Sequence, residues 1–111
     1  MAYNEHLAQR VRQELAGHAA VTEKRMFGGL TFLLRGKMCC GVHQDDLIVR
    51  VGAEYYEEAL TEPHVRPMDL TGRPLRGWVF VGPVGYRTDR ALGKWVRQAV
   101  AFTGSLHPKK K

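Results

Sequence analysis

Leu30-Thr31-Phe32-Leu33-Leu34-Arg35-Gly36-Lys37-Met38-Cys39-Cys40-Gly41-Val42-His43-Gln44-Asp45-Asp46-Leu47-Ile48-Val49-Arg50-Val51 is the stretch that decides the fold. Three apolar segments, 30–34, 37–43 and 47–51, are separated by Arg35-Gly36 and by Gln44-Asp45-Asp46. Glycine supplies the positive φ of a tight turn, and aspartate tolerates it. Strands joined this closely pair antiparallel, so a meander is expected. Side chains alternate between the faces of a strand. Leu30, Phe32 and Leu34 therefore share a face, as do Leu47, Val49 and Val51. That face is wholly apolar and is expected to pack on helices. The other carries Thr31, Leu33, Ile48 and Arg50. A half-apolar outer face predicts a partner surface, and the commonest partner is a second copy.

The flanks supply the helices. From Asn4 to Ala16, Leu7, Val11 and Leu15 recur every fourth position and stack on one helical face. Asn4 suits an N-cap, and Gly17 suits the left-handed residue that stops a helix. After a short link comes Arg25-Met26-Phe27-Gly28-Gly29, read as the bend that launches the sheet. Residues 53–60 read as a short helix, and the neighbourhood of Val65-Arg66 as a short strand. Trp78-Val79-Phe80-Val81 reads as a further strand by its β-branched and aromatic content. A last helix is capped by Thr88 or Asp89 and closed by Gly104. Its apolar face is Leu92, Trp95, Val96, Ala99 and Phe102.

Composition sets the bounds. The chain has 111 residues, enough for one domain, with 44% hydrophobic and 25% charged residues, the balance of a folded protein. Residues 1–106 are expected to form that domain and 107–111 a basic tail. The first residues carry no basic stretch followed by an apolar run, so no signal peptide is expected. No apolar run is long enough to span a membrane. The adjacent Cys39 and Cys40 point to opposite faces if the strand is regular, and neighbours make a poor disulfide. Two reduced thiols in a cytoplasmic protein are expected. The net charge of +6 lies in residues 78–111, whose only carboxylate is Asp89.

The block Arg25-Met26-Phe27-Gly28-Gly29 resembles the entry motif of the TfoX N-terminal domain family, also called TfoX/Sxy. The resemblance continues in order through Gly36-Lys37-Met38, Asp46-Leu47, Arg50-Val51, Pro67-Met68, Thr71-Gly72-Arg73-Pro74, Trp78-Val79 and Trp95-Val96. It implies a two-layer α+β fold of order α-β-β-β-α-β-β-α, with an antiparallel sheet and helices on one face. Full-length members regulate natural competence genes and carry a second, helical domain. The 111 residues are expected to be a stand-alone N-terminal-type domain.

No catalytic constellation stands out. The one serine, Ser105, follows the last helix, and no serine or cysteine stands with a histidine and an acid in a recognisable pattern. Gly28-Gly29 invites a phosphate-loop reading, but Gly36-Lys37 is followed by Met38, which offers no hydroxyl to a magnesium ion. The pair is read as a bend or a close approach. The five histidines are scattered, and Cys39 and His43 share a face of a regular strand at too wide a spacing for one ion. Neither metal nor cofactor is expected, and a non-enzymatic module is.

Binding candidates remain. Arg25 and Arg50 sit among apolar neighbours and suit bidentate contact with a carboxylate or phosphate. The preferred reading pairs them with a glutamate of the helix near Tyr55. Arg90, Lys94 and Arg97 form a basic stripe on the last helix and, with the tail, suit nucleic-acid phosphates. An ordinary solvated helix face is the preferred reading of the stripe. Met26, Phe27, Gly28, Gly29, Trp78 and Trp95 are read as mainly structural. The expectation is a regulatory module that works through protein contacts as a homodimer with an unidentified protein partner. Nucleic-acid association is the alternative, and no membrane is involved.

Overall fold

Asn4 accepts a 3.0 Å hydrogen bond from the Leu7 amide and so caps the first helix, α1 (Glu5–Glu14). In a computed structural model of the chain, which describes residues 3–18, 20–26, 28–69 and 72–106, α1 is followed by β1 (Val21–Met26), β2 (Gly29–Leu34), β3 (Lys37–His43) and β4 (Asp46–Arg50). Then come α2 (Tyr56–Leu60), β5 (Val65–Pro67), β6 (Trp78–Val81), a 3-10 turn (Pro83–Tyr86) and α3 (Asp89–Ser105). Leu15 makes the C-cap of α1, so Gly17 lies beyond the helix it was expected to close. Gly104 lies inside α3, whose N-cap is Thr88.

The strands form one six-stranded antiparallel sheet in the order β1-β2-β3-β4-β6-β5. The α+β class and the one-sided helix layer agree with expectation. The count does not: the short link before Arg25 is a strand, and the order is α-β-β-β-β-α-β-β-α. Met26 pairs with Gly29, so the chain reverses tightly between them, with Gly28 at φ 75°. A side chain at Gly29 would run into the Val42 carbonyl oxygen of β3. The two glycines thus do different things: one turns the chain, the other lets two backbones approach.

Leu30, Phe32 and Leu34 face Leu7 and Val11 of α1 and Leu92, Trp95, Val96 and Ala99 of α3 in the main core. Leu47, Val49, Val79 and Val81 continue that face, and Tyr56 and Ala59 of α2 join it. Between Phe32 and Leu33 the β2–β3 register slips, because Leu33 pairs with Met38 while Phe32 pairs with Cys40. Cys39 is the extra residue of a β-bulge. The bulge corrects the alternation expected at the cysteines, for both thiols lie in the main core. His43 stacks on Phe80 of the outer face at 6.0 Å between ring centroids, so Cys39 and His43 do not share a face.

The outer face is also corrected. Ile48, Trp78, Phe80 and Met68 form a second buried cluster with Met38 against it. The segment after β5 folds back over the sheet end: Leu75 donates to the Met68 carbonyl at 2.9 Å and Trp78 to that of Leu75 at 3.0 Å. Of the apolar side chains expected to meet a partner, Ile48 is covered within the chain, while Leu33 stays half-buried.

Candidate functional site

β1 is the outermost strand, and Thr22, Glu23, Lys24 and Arg25 are all exposed on it. Its two faces follow from alternation. Val21 packs on the main core, and Glu23 reaches Arg12 of α1, so residues 21, 23 and 25 face the helix side. The Arg12 guanidinium grips Glu23 with both arms, Nε to Oε2 at 2.6 Å and Nη2 to Oε1 at 3.0 Å. These bonds hold Arg12 charged above the ordinary arginine range. Arg25, two residues on and on the same face, forms no ion pair among the described residues.

The backbone of β1 is half spent. Arg35 donates to the Ala20 carbonyl at 3.0 Å, and in an antiparallel ladder hydrogen-bonded pairs recur every second residue. Thr22 with Leu33, Lys24 with Thr31 and Met26 with Gly29 are then the bonded pairs with β2. The N–H and C=O groups of Val21, Glu23 and Arg25 point away from the sheet, into the open edge.

Arg50 has a different setting. Its Nη1 donates to the Met38 carbonyl at 3.0 Å, beside the bulge. Its guanidinium lies 5.2 Å from the Trp78 ring centroid and 5.6 Å from that of Phe102. The glutamate partners expected for Arg25 and Arg50 go elsewhere. Glu57 of α2 pairs with Arg76 at 3.3 Å, and Glu62 with Lys94 at 2.8 Å. Geometry explains it: α2 packs beside β5 and β6, Arg50 is taken up at the bulge between Trp78 and Phe102, and β1 lies at the far edge of the sheet.

The basic stripe of α3 is exposed at Arg90, Lys94 and Arg97, but Lys94 is neutralised by Glu62 and lies 4.7 Å from the Trp95 ring centroid. Trp95 belongs to the main core and Trp78 to the second cluster; Met26 is half-buried at the end of β1. Phe27 and the tail 107–111 lie outside the described residues. A concavity of about 400 Å³ is lined by Leu34, Arg35, Lys37 and Thr103–Leu106, where the described chain ends.

The two thiols are buried side by side. The neighbouring Cys40 holds the Cys39 thiol below the usual range, helped by the Arg50 charge and opposed by burial. Cys40 is held well above it by Cys39 and by burial. Among the described residues no three His, Cys, Asp or Glu side chains gather to hold a metal ion. No described helix is long and apolar enough to cross a membrane.

The sheet order and one-sided helix layer place the chain among the two-layer α+β domains, and the ordered motifs from Arg25 to Trp95 point to one family within them. The model of the TfoX N-terminal domain matches residues 13–103, and the chain belongs to that family. No curated protein and no solved structure matches it. Sequence reasoning marked Arg25 as a binding candidate but missed the strand that carries it. Periodicity offered no signal for it, because the polar middle of Val21–Met26 carries no apolar alternation and reads as a link.

Proposed function

We propose that this domain is a regulatory binding module of the competence-regulator type, which acts through protein contacts made along the open β1 edge. Family membership supports the class. The observation that carries the surface is the edge itself: four successive exposed side chains, outward backbone groups at Glu23 and Arg25, and a guanidinium without an ion-pair partner among the described residues. Unpaired strand edges are where extended segments of other chains add, with main-chain hydrogen bonds for affinity and side chains for selectivity. The outer sheet face offers less, because Ile48, Trp78 and Phe80 are already covered there and only Leu33 and Met38 stay half-buried.

Arg25→Pro tests the reading. It removes one outward N–H and the cation, while the Lys24–Thr31 pair with β2 keeps its bonds. Proteins captured from nuclease-treated native extract by the wild-type domain are expected to be lost with Arg25→Pro. They are expected to survive the triple change Arg90→Ala, Lys94→Ala, Arg97→Ala. Capture that depends on nucleic acid or on the triple site, and ignores the edge, overturns the reading in favour of nucleic-acid association.

A further inference from the structure

We infer that the β1 edge is self-complementary and that its partner is β1 of a second copy, joined antiparallel about a two-fold axis through Lys24. The inference rests on the edge-contact reading above and names the partner for it.

A two-fold axis that pairs two antiparallel edge strands stands perpendicular to the sheet, so each residue faces one of matching parity and the helix layers of both copies lie on the same side. Only Val21, Glu23 and Arg25 point their backbone groups outward. The bonded pairs across the new seam must come from these odd positions, which leaves few registers. With the axis on Glu23, two carboxylates meet. With the axis on Arg25, two guanidinium groups meet. With the axis on Lys24, Glu23 faces Arg25 of the second copy twice over, in hydrogen-bonded pairs, and Thr22 faces Met26. Opposite charges directly across a seam attract and like charges repel, so charge selects this register.

The side chains are placed for it. Glu23 and Arg25 share the helix side, and Glu23 is already held by Arg12 at 2.6 Å. Carboxylate oxygens accept more than one donor, so Arg25 of the second copy joins Glu5, Arg12 and Glu23 in a four-charge cluster on a fixed acid. The two Lys24 side chains meet on the opposite face at the non-bonded pair on the axis, exposed and able to swing apart into water. The join makes one twelve-stranded sheet from two six-stranded ones and covers an edge that is otherwise a template for uncontrolled pairing.

The experiment uses two like-charged variants, Arg25→Glu and Glu23→Arg. Each alone sets like charges across both pairs and is expected to weaken self-association roughly tenfold or more in sedimentation or light scattering. Mixed together, they present opposite charges at every facing position and are expected to recover the dimer as a heterodimer. Lys24→Cys checks the register independently and does not disturb the Arg12–Glu23 pair. Thiols at the axis meet at the close spacing of a non-bonded pair and are expected to form an intermolecular disulfide under mild oxidation, whereas Thr22→Cys is not. A wild-type chain that stays monomeric at high concentration, or oxidation that links Thr22→Cys as readily as Lys24→Cys, overturns the inference. If edge-dependent capture of another protein persists in that case, the module reading stands and only its partner is wrong.

Discussion

The two ends of the sheet treat arginine in opposite ways. At the β4–β6 end, Arg50 lies against Trp78 and Phe102 and spends a donor on the Met38 carbonyl. Nearby Arg66 repeats the device, 4.8 Å from the Phe80 ring centroid and bonded to Asp46 at 2.7 Å. At the β1 end, Arg25 forms neither a ring contact nor an ion pair among the described residues. The difference separates arginines that close a surface from one that keeps a surface open. At the first end the guanidinium planes lie over apolar side chains and shield them from water. At the second the charge stays at an edge where backbone groups remain to be paired.

The largest effect is expected from unroofing the closed end. Trp78→Ala removes a buried indole and the ring under Arg50, and should cost about 3–5 kcal/mol of unfolding free energy by urea titration. A loss below roughly 1 kcal/mol would mean that the second cluster is not a packed core. The arginines themselves come next. Arg50→Ala should cost about 1–2 kcal/mol, from the lost ring contact and the hydrogen bond at the bulge. Arg25→Ala should stay within about 0.5 kcal/mol of wild type. Equal losses at the two positions would erase the contrast between the ends.

A smaller effect is expected from alkali. Tyr86 donates to the Asp45 carbonyl at 2.6 Å. Burial raises its hydroxyl above the usual tyrosine value, and the Asp45 and Asp46 charges add to that. The folded state therefore keeps this proton at a pH where the unfolded chain has begun to lose it. The stabilisation is fully present below the unfolded value near pH 10 and falls away as pH rises through the folded one. Tyr86→Phe should flatten that part of the alkaline decline in thermal melting temperature, while edge variants such as Arg25→Ala should leave it unchanged.

How much was legible in the sequence depended on how much each element buries. The stretch from Leu30 to Val51 showed its strands because one face is uniformly apolar, and tertiary packing obeys that period. β1 was hidden because it contributes only Val21 to the main core, and Thr22-Glu23-Lys24-Arg25 carries no apolar alternation. The bulge was hidden for another reason: Cys39 and Cys40 are equally apolar, so no pattern says that both face the helices. The cover over Ile48 and Phe80 depends on Met68 and on arginines distant in sequence, beyond the reach of local periodicity. Arg25 was singled out for its motif, yet its neighbours were misassigned because the strand order, which sends α2 and β1 to different places, is a property of the whole chain.

The bulge at Cys39 also sets a frame. Met38 on one side pairs with Leu33 on the outer face, and Cys40 on the other pairs with Phe32 toward the helices. Those two residues would alternate correctly if they were adjacent. Cys39 is therefore the one position in β3 at which the strand's length is decoupled from its phase. A one-residue deletion there leaves every other side chain from Lys37 to His43 on its own face. The same deletion at Val42 would turn the residues on one side of it over. Variation in the length of this hairpin is thus confined by geometry to a single place, the one that brings two thiols together.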